Sequence, residues 1–207
     1  MKPEFRWLGR VAYDEALALQ DELVVQRRGD EISDTVLLLE HEPVYTIGRT
    51  RDRSSLAGDE AALPHPVIEI NRGGKATFHG PGQLVGYPIL DLRMHGKDLH
   101  AYLRALEELL IQSCAGFGIR AGRRDELTGV WVNDRKIASI GVGVRHWISM
   151  HGFAINVSAD LSGFEAIIPC GIQDVRMTSI ARECEQAPSV QEFADTVTAT
   201  WSAVFAN

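Results

Sequence analysis

The sequence predicts an α/β protein of the α+β type, in which helices flank one mixed β-sheet. The 207-residue chain is 45% hydrophobic, which is enough for one well-formed core. Helical and strand patterns are interspersed, and consecutive strand patterns in the second half are typical of an antiparallel meander. No repeat, low-complexity run or clear linker divides the chain, so we expect a single domain over residues 1–207.

The first half contains one predicted helix and several short strands. The helix covers residues 14–29, where apolar residues recur at helical spacing, acids come early, arginines come late and Gly29 ends the pattern. Short apolar runs bounded by polar residues predict strands, which we expect to pair antiparallel with their neighbours in sequence. These strands cover residues 35–41, 43–48, 67–70 and 84–92.

The second half begins with the clearest helix pattern of the chain. Asp98 is a favourable N-cap, an apolar stripe follows it, and Gly116 is a favourable stop. Residues 128–157 then read as three strands with a turn at residues 133–135. A last helix follows the capping box formed by Ser189 and Glu192.

The charge balance bears on the class of partner. A net charge of −7 disfavours a nucleic-acid binder and a protein that binds anionic membranes. The basic residues do form local clusters, which are either solvated loops or a docking patch for an acidic partner. The clusters are Arg49, Arg51 and Arg53; Arg72 and Lys75; and Arg120, Arg123 and Arg124.

The sequence predicts the cellular compartment of the protein, and the redox state of its cysteines follows from that compartment. The N-terminus has no apolar core of signal-peptide length, and no segment reaches the ~18 apolar residues that cross a bilayer, so we expect a cytoplasmic protein. Cys114, Cys170 and Cys184 are then expected to be reduced thiols, with Cys114 on the apolar stripe of its helix. Neither C-x-x-C nor H-E-x-x-H occurs, so we predict no metal site.

The stretch "RGGKATFHGPGQLVGYPI", residues 72–89, combines bare backbone with apolar and aromatic side chains. It lacks the spacing of a phosphate-binding loop, and the G-x-G-x-x-G pattern is absent as well. Further glycines, Gly141, Gly143 and Gly152, lie in the predicted meander, where they mark bulges or close approaches. The pattern favours a long, weakly polar ligand that lies along strands.

Cys170 and Lys136 are the candidate reactive residues. Cys170 stands between Pro169 and Gly171, so its backbone is fixed on one side and open to a substrate on the other. A nucleophilic cysteine needs a nearby cation or base, which Lys136 could supply if its apolar neighbours desolvate it. The alternatives are a small buried cysteine at a turn and a surface lysine after a β-turn.

Several motifs together resemble the lipoyl(octanoyl) transferases, the octanoyl-[acyl-carrier-protein]:protein N-octanoyltransferases of lipoate synthesis. They are "LLLEHEPVYTIGR", "RGGKATFHGPGQLVGYPI", "KIASIG", "HGFAINV" and "PCGIQD…MTSI", in an order that spans most of residues 37–180. The resemblance implies the fold of the biotin and lipoate protein ligase catalytic domains. It also implies transfer of an octanoyl group from acyl carrier protein to a lysine on a lipoyl domain, with no cofactor.

The resemblance assigns site residues by position in these motifs. Cys170 would be the nucleophile that accepts the acyl group, and Lys136 would be its charge partner. The family's frequent tyrosine is replaced by Phe78, which retains a packing role only, and His79 would either orient a polar group or fill a turn. The implied substrate-binding residues are Arg72, Gly73, Gly74, Lys75, Ala76, Thr77, Phe78, His79, Ser139, Ile140, Gly141, Gly152, Phe153 and Ala154.

The implied partners are octanoyl-acyl carrier protein as donor and two kinds of acceptor, lipoyl domains of 2-oxoacid dehydrogenases and the glycine cleavage H protein. We expect a monomer. Two other functions remain open. One is a lipoate–protein ligase that shares the fold but activates free lipoate with ATP and needs no acyl-thiol. The other is a non-catalytic acyl-binding protein, which would not need Lys136 and Cys170 to meet.

Overall fold

The computed structural model describes residues 2–56, 58, 60–171 and 175–205, and of Cys170 it describes the main chain only. Eleven strands and four helices are described, together with short 3₁₀ turns at Arg53–Ser55, Glu60–Ala62, Leu161–Ala166 and Pro169–Gly171. The elements are β1 Glu4–Val11, α1 Tyr13–Arg28, β2 Thr35–His41, β3 Val44–Ile47, β4 Val67–Glu69, β5 Thr77–His79, β6 Gln83–Ile89, α2 Leu99–Ala115, β7 Gly122–Arg124, β8 Leu127–Val132, β9 Arg135–Arg145, β10 Ile148–Asn156, β11 Arg176–Met177, α3 Ile180–Glu183 and α4 Val190–Phe205.

The main sheet is mixed, as the sequence predicts. Its strand order is β1-β2-β6-β10-β9-β8-β7, and the short β11 pairs with β9 in parallel. A second, three-stranded sheet has the order β4-β3-β5. The predicted meander forms β8, β9 and β10, which pair antiparallel in that order.

Helices cover both faces of the main sheet. On β2, Val36 and Leu38 belong to the core that contains α2 and α4, whereas Leu37 and Leu39 belong to the core that contains α1. This alternation follows the two-residue period of a strand, which sends successive side chains to opposite faces. Because both faces are buried, β2 is a continuous apolar run rather than an alternating one.

Two strand pairings differ from the antiparallel pairing that we expect from sequence. β1 pairs with β2 in parallel, because α1 forms the crossover between them. β3 pairs with β4 in parallel as well, since the long connection after Gly48 returns the chain to the same end of the small sheet. The expectation of antiparallel neighbours is therefore wrong for β3 and β4, and the strand β1 itself was not predicted from the sequence.

The helix termini agree with the sequence analysis. The carboxylate of Asp98 accepts hydrogen bonds from the backbone N–H groups of His100, at 2.8 Å, and Ala101, at 3.0 Å. At α4, Ser189 Oγ accepts from Glu192 N at 3.2 Å, and Glu192 Oε2 accepts from Ser189 N at 2.8 Å, which completes the capping box. Across the described ranges, no helix combines the length and apolar character needed to cross a membrane.

The cap of α2 gives a stability prediction. We expect Asp98→Ala to lower the free energy of unfolding by about 1 kcal/mol, because two N–H groups of the first turn lose their acceptor. Asp98→Asn keeps a side-chain oxygen in place and should lose only a small part of that amount. Equilibrium urea unfolding of the two variants measures the difference, and equal losses would contradict the capping role.

Candidate active site

A cavity of about 540 Å³, here called the main cavity, runs beside β9 and β10. Its wall includes Lys136 together with every predicted substrate-binding residue except three, which are Lys75, Ala76 and Phe78. The stretch of residues 71–74 closes one side of the cavity, and the start of α2 contributes Leu99 and Leu103. Residues from four of the five predicted motifs, which are far apart in sequence, therefore meet around one space, and the motif that holds Cys170 contributes no described residue to this wall.

Glycine permits the glycine-rich stretch to lie directly on β9. Gly73 N donates to Val142 O at 2.9 Å, so the loop is hydrogen-bonded to the strand. A Cβ atom at Gly141 would lie 3.0 Å from both Gly73 O and the Cδ atom of Arg72, which is closer than most side chains tolerate. Bare backbone at Gly141 thus sets how closely the loop approaches the strand.

Arg72 fixes this loop to the small sheet and brings a positive charge to the cavity. Its Nη2 donates to Thr46 O at 2.8 Å and to Thr46 Oγ1 at 2.9 Å, while Nη1 donates to Gly73 O at 2.9 Å. The side chain is mostly buried. The side chain of Arg72 therefore links the glycine-rich loop in the cavity wall to β3.

His41 and His79 form part of a buried cluster with Tyr13 and Tyr87 at one side of the main cavity. His41 Nε2 lies 2.7 Å from the hydroxyl of Tyr87, and its Nδ1 lies 2.9 Å from the carbonyl of Val11. Since a carbonyl only accepts, Nδ1 carries the proton and Nε2 accepts from the phenol. Burial lowers the pKa of His41 to about 4, so the ring is neutral near pH 7.

His79 is held in the same way. Its Nδ1 lies 2.8 Å from Gln83 Oε1, and Gln83 Nε2 donates to Asn156 Oδ1 at 2.9 Å. Asn156 Nδ2 in turn donates to Thr178 O at 2.9 Å. Burial comes first, followed by repulsion from His41 once that ring is protonated, and together they lower the pKa of His79 to about 3. His79 is thus a neutral, fixed ring in the cavity wall and not a residue that merely fills a turn.

His151 lies between the main cavity and a second cavity of about 350 Å³, and it lines both. Only 2% of the residue is exposed, and among the described residues neither ring nitrogen has a hydrogen-bond partner. Its backbone has a left-handed φ of 55°, and its N–H donates to Gln20 Oε1 at 2.8 Å. Burial, followed by the charges of Arg72 and Arg145, lowers the pKa of His151 to about 4.

Four residues at or beside the main cavity were not predicted from the sequence. They are Tyr13, His41 and Tyr87 of the buried cluster, and His151 between the two cavities. One signal was available for His151, since a polar residue interrupts the apolar strand "SMHGFAINV". Tyr13 opens α1 and gives no comparable signal, because an aromatic residue at the start of an amphipathic helix is ordinarily a core residue.

Lys136 is fully buried, so the alternative of a surface lysine is wrong. Its Nζ donates to Thr128 O at 3.2 Å and lies 5.4 Å from the centroid of the Trp131 ring. The lysine stem passes under Gly129, which has a φ of 130°, and a Cβ atom there would lie 2.7 Å from Lys136 Cε. The absence of a side chain at Gly129 on β8 therefore makes room for the Lys136 side chain.

The side chain of Cys170 and residues 172–174 lie outside the described residues. The main chain around Cys170 forms the turn Pro169–Gly171, in which Gly171 N donates to Ile168 O at 2.9 Å. Shortly afterwards the chain joins β9 through β11, where Met177 pairs with Lys136. Thr178 N then donates to Lys136 O at 2.9 Å. The turn and the lysine are thus joined by a short connection that is hydrogen-bonded at Lys136.

The other two cysteines occupy less reactive surroundings. Cys114 is buried in the main core, and burial raises the pKa of its thiol to about 12, which agrees with the predicted core role. Cys184 is half-buried at the end of α3, where its Sγ donates to Ile180 O at 3.3 Å. Cys184 begins the loop that follows α3, which agrees with its charged neighbours, although the residue itself is only partly exposed.

Lys75, Ala76 and Phe78 lie beside the cavity rather than in the wall of its described part. Lys75 pairs with Asp52 at 2.8 Å, and its stem lies against Gly171, next to the Cys170 turn. Ala76 N donates to Ser55 Oγ at 3.1 Å. Phe78 packs in a small core whose aromatic members include Tyr45 and Phe164, with ring centroids 5.4 and 5.5 Å away.

The arginine clusters are largely paired within the protein. Arg51 and Arg53 both bind Glu69, at 3.3 and 2.6 Å, and Arg53 also binds Glu60. Arg123 binds a pair of glutamates on α2, and Arg124 lies over the Trp131 ring. These pairings reduce the positive charge that the clusters could offer to an acidic partner. Within the described residues, no group of His, Cys, Asp or Glu could hold a metal ion.

Comparison with known proteins identifies the family. The model of the lipoyl protein ligase A/B catalytic domain matches residues 12–202. The octanoyltransferase of Geobacter sulfurreducens is 50% identical over 188 residues, which cover 89% of this chain and 77% of that protein. The octanoyltransferase of Rubrobacter xylanophilus is 54% identical over 180 residues, covering 84% and 80% respectively.

Solved structures support the fold at lower identity. Lipoate-protein ligase A bound with ATP has a TM-score of 0.78 at 16% identity, covering 99% of this chain and 85% of the ligase. A chain from an archaeal bi-partite lipoate protein ligase and its E2 lipoyl domain, from Thermoplasma acidophilum, has a TM-score of 0.75 at 17% identity, with coverage of 99% and 84%. Biotin protein ligase from Aquifex aeolicus has a TM-score of 0.56 at 16% identity, with coverage of 98% and 70%.

These similarities confirm the predicted fold and the predicted enzyme class, an octanoyltransferase. The likeness to the ligases concerns the fold alone, whereas the octanoyltransferases are about 50% identical in sequence over most of the chain. The chain therefore belongs to the lipoyl protein ligase A/B catalytic domain family.

Proposed function

We propose that this enzyme moves an octanoyl group from octanoyl-acyl carrier protein onto Cys170 as a thioester, and from there onto a lysine of a lipoyl domain. The acceptors would be the lipoyl domains of 2-oxoacid dehydrogenases and the glycine cleavage H protein. One observation carries the proposal. A fully buried lysine, Lys136, stands in the wall of a large cavity and is joined by a short connection to the turn that holds Cys170.

The first step is an exchange of thioesters. The Cys170 thiolate attacks the carbonyl carbon of the donor thioester, and the carbon–sulfur bond to the phosphopantetheine arm breaks. A nearby Lys136 ammonium stabilises the attacking thiolate and gives its proton to the departing one. Because one thioester replaces another, the step is close to isoenergetic and needs no ATP.

The second step makes an amide. The amine of the acceptor lysine attacks the Cys170 thioester, and neutral Lys136 accepts a proton from that amine. Collapse of the tetrahedral intermediate releases the amide and restores the thiolate beside an ammonium group. An amide is more stable than a thioester, so this step drives the overall transfer.

The main cavity suits an acyl chain of limited length. Its wall combines apolar side chains such as Ile140, Val142 and Phe153 with glycine backbone. Burial of each methylene contributes about 0.8 kcal/mol, so burial alone distinguishes neighbouring chain lengths only modestly. The buried cluster of Tyr13, His41, His79 and Tyr87 forms a rigid polar boundary, which would disfavour chains that reach it.

The experiment that tests the proposal is intact-mass spectrometry after mixing the enzyme with octanoyl-acyl carrier protein and no ATP. We expect one octanoyl adduct, mapped by peptide digestion to Cys170, and loss of that adduct when a lipoyl domain is added. Cys170→Ser should give no thioester adduct. Cys184→Ser is the matched control, because it removes a half-buried thiol elsewhere and should leave the adduct intact.

Three outcomes would count against the proposal. An octanoyl transfer rate that Cys170→Ser leaves unchanged would exclude the covalent route. Transfer that occurs only with ATP and a free fatty acid would assign the chain to the ligase reaction, whose known examples share this fold. Binding of the acyl donor without any transfer would leave a non-catalytic acyl-binding protein.

A further inference from the structure

A single peptide group separates a buried carboxylate from Lys136. Gly129 N donates to Glu107 Oε1 at 3.0 Å, and Lys136 Nζ donates to Thr128 O at 3.2 Å. The carbonyl of Thr128 and the N–H of Gly129 belong to the same planar unit. Glu107 and Lys136 therefore bind the two ends of one peptide dipole.

Glu107 is built into the fold from α2. The residue is only 1% exposed, and its second oxygen, Oε2, accepts from Arg104 Nη1 at 2.7 Å and from Arg123 Nε at 3.1 Å. Removing the three hydrogen-bond donors from a buried carboxylate would cost much free energy. The position of the Glu107 carboxylate is therefore well fixed. Glu107 does not line the described part of the main cavity, so its connection to the site runs through the peptide.

Strand β8 is irregular where this contact is made. Its pairing with β9 shifts register between Val130 and Trp131, and Gly129 has a backbone conformation that favours glycine. An irregular strand lacks the regular ladder that would otherwise fix the direction of the Thr128 carbonyl. The hydrogen bond to Glu107 supplies that direction.

We propose that Glu107 is a positioning residue for Lys136, acting through the Thr128–Gly129 peptide. The carboxylate orients the peptide so that the Thr128 carbonyl points at the lysine nitrogen. It also polarises the peptide, because a group that accepts from the N–H strengthens the carbonyl as an acceptor. The inference rests on the proposed function, in which Lys136 is the proton-transferring partner of Cys170.

A merely structural role makes a different prediction. If Glu107 served only to anchor Arg123 to α2, losing that arginine would affect catalysis as much as losing the peptide contact. Arg123→Gln removes the ion pairs with Glu107 and Glu108 but leaves the bond from Gly129 N to Glu107. Glu108→Gln removes a neighbouring partner of Arg123 on the same helix without touching the peptide.

The experiment measures the single-turnover rate of octanoyl adduct formation on Cys170 at saturating octanoyl-acyl carrier protein, together with kcat and KM. We expect Glu107→Leu to lower the acylation rate and kcat by about a hundredfold, the size of effect that a small displacement of a catalytic group produces. KM should change by less than about threefold, because the cavity wall is unaltered. Glu107→Gln keeps an oxygen for Gly129 N and should recover most of the loss.

The controls complete the test. Arg123→Gln and Glu108→Gln should stay within about twofold of the parent rate, whatever they do to the thermal midpoint of unfolding. The inference is overturned if folded Glu107→Leu acylates at the parent rate, or if Arg123→Gln lowers kcat as much as Glu107→Leu does. If Glu107→Leu does not fold, the comparison rests on Glu107→Gln and Arg123→Gln. The inference is then overturned if both variants acylate much more slowly than the parent and at equal rates.

Failure of the inference differs from failure of the proposed function. A parent-like rate in Lys136→Met would remove the role of the lysine itself. A parent-like rate in Glu107→Leu, with Lys136→Met inactive, would remove only the positioning role.

Discussion

Replacing Lys136 with methionine is expected to lower kcat for octanoyl transfer by about a hundred- to ten-thousand-fold, the range typical of a lost general acid or base. Methionine keeps an unbranched apolar stem and so fills the passage under Gly129 without a clash. What it removes is the amino group that, in the proposed mechanism, stabilises the thiolate and carries the proton between the two half-reactions.

The effect should fall on both half-reactions. Without the lysine, Cys170 has less stabilisation of its thiolate, so formation of the octanoyl adduct slows. The acceptor amine also loses the base that takes its proton, so decay of a preformed adduct slows when a lipoyl domain is added. Rapid-quench mass spectrometry follows the two steps separately, with octanoyl-acyl carrier protein as donor.

The variant needs a stability control, since it leaves the Thr128 carbonyl without a donor that the structure provides. An unsatisfied buried acceptor costs about 1–3 kcal/mol, which is offset in part because a buried amino group no longer has to be desolvated. Circular dichroism should therefore show a folded protein. Lys2→Met, on the surface, is the matched change and should transfer octanoyl at the parent rate. A Lys136→Met enzyme within tenfold of the parent in both half-reactions would rule out the proposed role.

Local sequence signals predicted the ends of the helices well. Asp98 and the Ser189–Glu192 box act within one helical turn, so their chemistry is complete in a few residues. The parallel pairing of β1 with β2 was not predictable in the same way, because it depends on the side of the sheet to which α1 returns the chain. Crossovers of this kind are settled by packing over the whole sheet.

The site shows the same division. The glycine-rich motif and the meander glycines gave most of the cavity wall, since the bare backbone that they supply is visible in the sequence itself. The burial of Lys136 was not visible, because its local neighbours fit a surface turn equally well. Its side chain is covered by Gly129 and by the Trp131 ring on β8, and these contacts are made only in the folded state. His41 and Tyr87 likewise meet across 46 residues.

The buried histidines should make the protein markedly less stable in mild acid. The pKa values of His41 and His151 are lowered to about 4 and that of His79 to about 3, in each case first by burial, from an ordinary value of 6.5. The unfolded chain therefore binds more protons than the folded protein at any pH between these values. The contribution of these neutral histidines to the free energy of unfolding is fully present above about pH 7, and it is lost as the pH falls towards 4.

The expected size follows from the shifts. Between pH 7 and pH 5, each of the three histidines should lower the free energy of unfolding by about 2 kcal/mol, so the total loss should be about 6 kcal/mol. Carboxylates do not account for this window. Asp52, for example, has its pKa lowered to about 2 by its hydrogen bond from Lys75, so its contribution is lost only below about pH 4. Urea unfolding at a series of pH values measures the slope.

His151→Asn isolates one of the three contributions. Among the described residues the ring nitrogens of His151 have no partner, so the substitution breaks no side-chain hydrogen bond, and asparagine tolerates the left-handed backbone there. We expect the loss of stability between pH 7 and pH 5 to shrink by about 2 kcal/mol in this variant. His146→Gln, a change at an exposed turn residue that also has a positive φ, is the matched control for the substitution itself. If His151→Asn loses as much unfolding free energy between pH 7 and pH 5 as the parent does, burial does not lower the pKa of His151. The wall between the two cavities would then be open to water.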